Sequence, residues 1–362
     1  EYDTFLESLK FINDKNCDQE VLELMIDKLH NGYYYDDKVY TVFKRLNNSE
    51  TLRFFEYKFL DKSVSISKKM FINDIIKSLD DINYIVIYEK YLELTDYDFN
   101  LLEHILDLLI NLKRNDMKFF KENNRLKNIT EKIIYSQYFD IRLLELVKND
   151  KEKNSFIEEF YINKISNNCR LLMKTIYFYN DNLFEKELQL SIFEKDLYLS
   201  KVIEIFEEYL PDKLKKQVIP ILDEIDLSEK SDKGIQSYTD ISSISLNTLY
   251  EDKIIHQDEW YTFIVLAKVI NNKNIAINSD RIINNRYFKL LFNDLNFNKE
   301  DIFNRSSNET LYQIMITNLE KTLYLKDSNI FEGIPAKELI YIANCLEEVP
   351  LSPDTMIFKD GD

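Results

Sequence analysis

Apolar residues return every three or four positions along almost the whole chain, the spacing that gathers them on one face of an α-helix. Asp18 stands before a run that carries Val21, Leu24, Met25 and Leu29, and Asn31-Gly32 closes it. This pattern predicts a helix with Asp18 as its N-cap. Leu102, Ile105, Leu109 and Leu112 form a second stripe, and Val202, Ile205, Phe206 and Tyr209 a third. Pro211 is placed to open a further helix at its first turn, where a missing N–H costs nothing. That helix carries Leu214, Val218, Ile221 and Ile225 on one face, and Pro220 inside it is expected to kink or break it.

Helical stretches alternate with short polar joints such as Asn47-Asn48-Ser49 and Asn167-Asn168, which favour antiparallel neighbours. Helix pairs of about 40 residues are the unit of HEAT and armadillo solenoids, and this length holds roughly eight of them. The expected fold class is therefore all-α: a HEAT/armadillo-like α-solenoid of antiparallel helix pairs over residues 1–327. A large irregular bundle is the competing architecture. The solenoid is favoured because a single core rarely grows beyond about 250–300 residues. Ser, Asp, Lys and Thr crowd between Ser228 and Ser245 without apolar periodicity, which marks residues 228–245 as a loop or hinge.

Composition narrows the fold further. The 362 residues include only 4 Gly and 5 Pro, against roughly 25 and 18 at average usage. Sheet-rich folds need these residues at hairpins and bulges. Gly32, Gly234, Gly333 and Gly361 are too far apart for a dinucleotide fingerprint or a Walker-type phosphate loop. The 47 basic residues face 64 acidic ones, a net charge of −17. That balance disfavours duplex nucleic acid and anionic membrane surfaces. Cys17, Cys169 and Cys345 are scattered and odd in number, which points to a reducing, cytoplasmic compartment and to no metal framework.

The chain changes character after Asp327. Residues 328–362 hold Gly333, Gly361, Pro335, Pro350 and Pro353. Pro335 begins a helix with Leu339, Ile342, Ala343 and Leu346 on one face. Pro353-Asp354 then makes a turn between two short apolar runs. The order Ile330-Phe331-Glu332-Gly333, the helix, Glu348-Val349-Pro350-Leu351, and Ile357-Phe358-Lys359-Asp360-Gly361-Asp362 resembles the entry to a cyclic nucleotide-binding domain. The resemblance implies a short, incomplete α/β tail, with the strand near Met356 to Phe358 lacking most of its partners. The family's ribose-binding Glu and phosphate-binding Arg lie in a later loop, so no residue up to Asp362 inherits them. Upstream, Leu210-Pro211, Ile219-Pro220-Ile221-Leu222 and Asp258-Glu259-Trp260 with Ala267 resemble the HEAT-type soluble region of some bacterial proteins. In those, a membrane carrier related to ATP/ADP translocases precedes the repeats and a cyclic nucleotide-binding domain follows. The resemblance implies the cytosolic part of a membrane-associated protein.

Residues able to carry chemistry are sparse. His30, His104 and His256 have no second His or Cys at ligand spacing. His104 beside Glu103 and three before Asp107 could form an acid–base or metal pair, but a packed or surface histidine beside a solvated acid is the favoured reading. The adjacent carboxylates at 36–37, 80–81, 158–159, 207–208 and 347–348 diverge on a helix and share no site by spacing alone. Trp260, Tyr261, Phe263, Ile264 and Ala267 read as core. No catalytic, cofactor or metal residue is assigned, and no enzymatic activity or cofactor is expected. For partner contacts, Tyr33, Tyr34 and Tyr35 follow a helix end as an aromatic run. Lys118, Lys121 and Arg125 belong to a stretch from Lys113 to Lys127 with six basic residues against two acidic ones.

The leading functional expectation is a non-enzymatic helical-repeat scaffold that meets protein partners on its solenoid faces and leads into a cyclic nucleotide-sensing domain. The alternative is a helical adaptor that binds single-stranded nucleic acid through residues 113–127, where cations alternate with Phe119 and Phe120. Cyclic AMP or cyclic GMP titrated into this chain in a calorimeter should give no saturable heat. Saturable binding would contradict the assignment of the nucleotide contacts to a later loop.

Overall fold

The computed structural model describes residues 11–12, 17–32, 37–46, 49–61, 63–79, 85–92, 98–111, 124–150, 155–179, 199–250, 258–269, 285, 287, 317–331, 333–346 and 349. Helices dominate these residues, and no strand occurs among them. The all-α class thus holds for the described residues. Tyr33, Tyr34, Tyr35, Lys118, Lys121 and the expected strand near Met356 lie outside them, whereas Arg125 falls in the first turn of a long helix.

The chain divides into two compact units, residues Glu1–Ile141 with Lys164–Ile241, and Arg142–Asn163 with Ser242–Asp362. The first unit contains α1 (Gln19–Gly32), α2 (Asp37–Arg45), α3 (Ser49–Leu60), α4 (Ile66–Leu79), α5 (Ile85–Tyr91) and α6 (Phe99–Asn111). It also takes the start of α7 (Asn124–Lys148) and the end of α8 (Ser155–Tyr179), then α9 (Leu199–Tyr209), α10 (Asp212–Leu222) and α11 (Leu227–Ser237).

Short polar side chains start these helices as the physics of orphan N–H groups requires. Asp18 Oδ1 accepts from the Val21 N–H at 2.9 Å, as its position in the sequence predicts. Ser65 Oγ does the same for Lys68 at 3.3 Å, and Asp98 Oδ1 for Leu101 at 2.9 Å. The buried face of α1 is Leu22, Met25, Ile26 and Leu29, while Leu24 is 59% exposed. The expected stripe is therefore rotated by one position, because four apolar residues in five allow two neighbouring faces and packing selects one.

Packing in the first unit joins alternate helices. α1 lies on α3 and α3 on α5, while α2 lies on α4 and α4 on α6. α4 also touches α1 and α3, and farther along α10 packs on both α9 and α11. Aromatic side chains fill these contacts. Phe43 of α2 meets Phe55 of α3 at 5.9 Å between ring centroids, and Phe59 meets Tyr88 and Tyr91 of α5 edge-on at 5.8 and 5.4 Å. Such tilted pairs add about 0.5–1.5 kcal/mol beyond the area they bury.

Pro211 sits one residue earlier than expected, at the N-cap of α10. Pro220 lies in the last turn, and the helix ends two residues later at Leu222. Residues 228–237, expected as part of a loop, are instead helical. The buried side of α11 consists of Ser231 and Gly234, small residues that leave no hydrophobic period to read. Only from Thr239 does the chain tighten into 3₁₀ turns, Thr239–Ser243 and Leu246–Tyr250.

The second unit combines the end of α7 and the start of α8 with α12 (Glu259–Val269), the helical residues 317–326 (α13) and α14 (Ala336–Cys345). Its centre is aromatic. Trp260 packs on Phe156, Phe263 and Tyr287 at 6.0, 5.7 and 5.2 Å, and Tyr261 on Phe160 and Tyr161 at 4.6 and 5.7 Å. Tyr161 donates to the Tyr261 hydroxyl, which in turn donates to the Leu249 carbonyl at 3.2 Å. Trp260, Tyr261, Phe263 and Ile264 are buried, as read from their spacing. In the tail a turn follows Ser328, Gly333 takes φ of +80°, and Pro335 caps α14. The buried face of α14 is Ala336, Leu339, Ile340 and Ala343, and the expected members Ile342 and Leu346 are turned outward.

One contact in the first unit has no slack. A Cβ on Gly234 would lie 2.7 Å from Tyr138 Cδ1 and 3.0 Å from its Cβ, the rooted end of that side chain. Gly234→Ala is expected to lower stability by about 1–3 kcal/mol through overpacking, despite alanine's higher helix propensity. A thermal or urea denaturation series checks this, and an unchanged or higher midpoint would refute it.

Candidate functional site

The third helix offers the clearest surface for recognition. Its buried side is Thr51, Phe54, Phe55 and Phe59. The opposite side carries Arg53, Glu56, Tyr57 and Leu60, spaced three and four residues apart, and together with Asp61 they line an open cavity of about 480 Å³. Tyr57 is 64% exposed. Lys58 places its Nζ 5.6 Å from the Tyr57 ring, within the range of a cation–π contact. Arg and Tyr, with Trp, are enriched among the residues that anchor protein interfaces.

Ion pairs fix the edges of this surface. Glu56 accepts from Lys90 of α5 at 2.5 Å. Glu23 of α1 binds both Lys58 and Lys68, and Lys68 also reaches Asp27 at 2.6 Å. Burial alone would push the Glu23 carboxyl up, but the hydrogen bonds from Lys58 and Lys68 outweigh it and hold Glu23 below its ordinary value. Asp61 is also held low, chiefly by the backbone N–H of Ser63 and then by its hydroxyl, each 2.8 Å away. Glu23 and Asp61 are therefore held ionised at neutral pH, while Arg53 and Tyr57 stay exposed.

Lys69 and Asn73, one turn apart on α4, are both buried. Lys69 makes no side-chain hydrogen bond or ion pair among the described residues, and Asn73 Oδ1 is sealed from water without a donor. Burial lowers the Lys69 pKa, and Asp61 and Asp98 act on it from beyond ion-pairing distance. Sequence spacing had not singled out this pair, since a lysine four residues before an asparagine is ordinary on any helix.

His104, in contrast, is resolved in favour of the plain reading. Its ring is exposed, and the neighbouring Glu103 and Asp107 turn to Lys174 of α8, which binds them at 2.8 and 2.6 Å. Among the described residues no group of three or more His, Cys, Asp or Glu side chains could hold a metal ion. Glu158 and Glu159 also part company, Glu158 toward Lys148 at 3.6 Å and Glu159 toward Lys326 and the Ala336 N–H.

A polar seam runs along α7. Asp140 is fully buried and binds Lys164 at 2.8 Å and Asn168 at 3.4 Å. Burial pushes its carboxyl up, and Lys164 draws it part of the way back. Gln137 donates to Cys169 Sγ at 3.0 Å, and burial pushes that thiol up to about 11, which leaves it protonated at neutral pH. Tyr135 donates to Asp240 at 2.6 Å, a bond that raises its hydroxyl to about 12. These groups tie helices together, and the shifts of Cys169 and Tyr135 keep both protonated at neutral pH.

Comparison with protein-family models, with curated proteins and with solved structures finds no match for this chain. No helix among the described residues is long and apolar enough to cross a membrane.

The two buried lysines make a direct test of what pairing contributes. Lys174→Met strands two partly exposed carboxylates and should destabilise by about 1–3 kcal/mol, below the range for a fully enclosed pair because water rescues the acids. Lys69→Met strands no partner and should leave stability within about 1 kcal/mol or raise it. Parallel thermal melts of the two variants check the contrast, which equal losses would erase.

Proposed function

We propose that this chain is a non-enzymatic helical-repeat scaffold that binds protein partners on exposed helix faces. The observation that carries the reading is the alternate pairing in the first unit, α1 on α3 and α3 on α5, α2 on α4 and α4 on α6. Two rows of helices, each touching the next but one, is the contact pattern of an α-solenoid, where every repeat leans on its neighbours. Such a stack builds long ordered faces without a deep cleft, and the α3 surface with Arg53 and Tyr57 is a face of this kind. The tail supports a link to a cyclic nucleotide-sensing domain: a turn containing Phe331, Gly333 at positive φ and a Pro335-capped helix follow the local order expected at the start of that domain. In this reading the scaffold is bacterial and works in the cytosol, with or without a membrane domain in the same polypeptide.

Two measurements test it. In a solenoid, damage stays close to home, so Leu29→Ala should weaken amide-exchange protection in α1, α3 and α4 more than in α10 and α11. Uniform loss across the first unit would favour a single bundle. A photo-crosslinking residue in place of Tyr57 should capture protein, and Arg53→Glu should reduce that capture several-fold without changing the circular dichroism. Capture of RNA instead would reverse the choice of partner class.

A further inference from the structure

Arg53, Tyr57 and Asp61 form a stripe on the α3 surface whose charges the fold leaves unmatched. The three stand four residues apart, so they follow one another along a single helix face at intervals of about 6 Å. The helical bond from the Asp61 N–H to the Tyr57 carbonyl carries the spiral through to Asp61. Arg53 is exposed and makes no side-chain hydrogen bond or ion pair among the described residues. Glu56, three residues on, is spaced to neutralise it but turns to Lys90 instead. Asp61 accepts both of its bonds from Ser63 on Oδ1, which leaves Oδ2 open. Tyr57 between them is largely exposed, and Leu60 adds an apolar wall to the cavity they share. A cation, an aromatic ring and an anion therefore line that cavity in order, over about 12 Å.

We propose, resting on the scaffold reading above, that this stripe holds an extended segment of a partner protein with an acidic, an apolar and a basic residue at alternate positions. Alternate side chains of an extended chain share one side at intervals of about 6.6 Å. That is close enough to the helical spacing for three successive ones to meet Arg53, Tyr57 and Asp61. The partner's carboxylate takes the planar fork of the Arg53 guanidinium. Its apolar side chain lies on the Tyr57 ring beside Leu60, and its lysine or arginine reaches Asp61. The last contact is helped by the place of Asp61 just past the C-terminal end of α3, where the helix dipole favours a cation. A wholly acidic tract would suit Arg53 alone, and the chain's net charge of −17 would repel it.

The probe is an end-blocked, fluorescein-labelled peptide with the core Glu-Ser-Leu-Ser-Lys, titrated with the full chain and followed by anisotropy. Physiological ionic strength keeps the electrostatics local, with a screening length of about 8 Å. Saturable binding is expected, and it should weaken several-fold for Arg53→Glu and for Asp61→Asn, a change that keeps an acceptor for Ser63. A second peptide with Lys in place of the Glu should reverse the order and bind Arg53→Glu several-fold more tightly than the unaltered chain. Lys127→Glu changes the net charge equally at an exposed site on α7 and should leave both peptides unaffected. A third peptide with acid and base only two residues apart should bind more weakly than the first. No saturable binding, no reversal with the second peptide, or equal binding of the third would overturn the proposal. Such a failure alongside protein capture at Tyr57 would sink this inference alone and leave the scaffold reading standing.

Discussion

No helix in this chain can hide its own apolar stripe. An isolated helix of nine to fourteen residues is marginal in water, and those from α1 to α6 fall within or below that length. Each becomes stable only when its neighbours wall in the exposed side. Phe55 illustrates the dependence: it is fully buried because α2 supplies Phe43 against it. Every other property of the first unit, from the exposure of Tyr57 to the isolation of Lys69, follows from which faces this mutual shelter uses up.

Electrostatics then works within limits set by packing. An acidic chain has more carboxylates than cations to pair with them, and the fold spends its lysines as ties between helices distant in sequence. Lys68 joins α4 to α1, Lys90 joins α5 to α3, and Lys164 and Lys174 do the same for α7 and α6. The more exposed of these pairs, such as Lys90 with Glu56, contribute little to stability, a median of about 0–1 kcal/mol. They are better understood as choosing among packings that bury similar area, since a wrong neighbour would leave a carboxylate without its lysine.

What could be read in the sequence was what is local. Asp18 as a cap, Pro335 at the mouth of a short helix and the apolar run at Trp260 each depend on a few adjacent residues, and each holds. The phase of α1 and α14 was misjudged by one position, because Leu24 and Ile342 are as apolar as the residues that pack. The helical nature of α11 was hidden for a different reason. Its buried residues are Ser231 and Gly234, and Gly234 meets Tyr138 of α7, a fit of small against large that carries no hydrophobic signal. The distinction between Lys69 and Lys174 was out of reach entirely, since Lys174 finds Glu103 across 71 positions of chain.

The second unit is assembled from two stretches of sequence with 78 or so residues between them, an interval set by its boundaries at Asn163 and Ser242. A ribosome therefore delivers Phe156, Phe160 and Tyr161 well before it makes Trp260 and Tyr261, the rings they enclose. During that wait, several seconds at ordinary elongation rates of about 5–20 residues per second, half an aromatic core stands open on the nascent chain. The order of the segments thus leaves the first rings of this core uncovered until the later ones arrive, and no circular permutation would place the two stretches side by side.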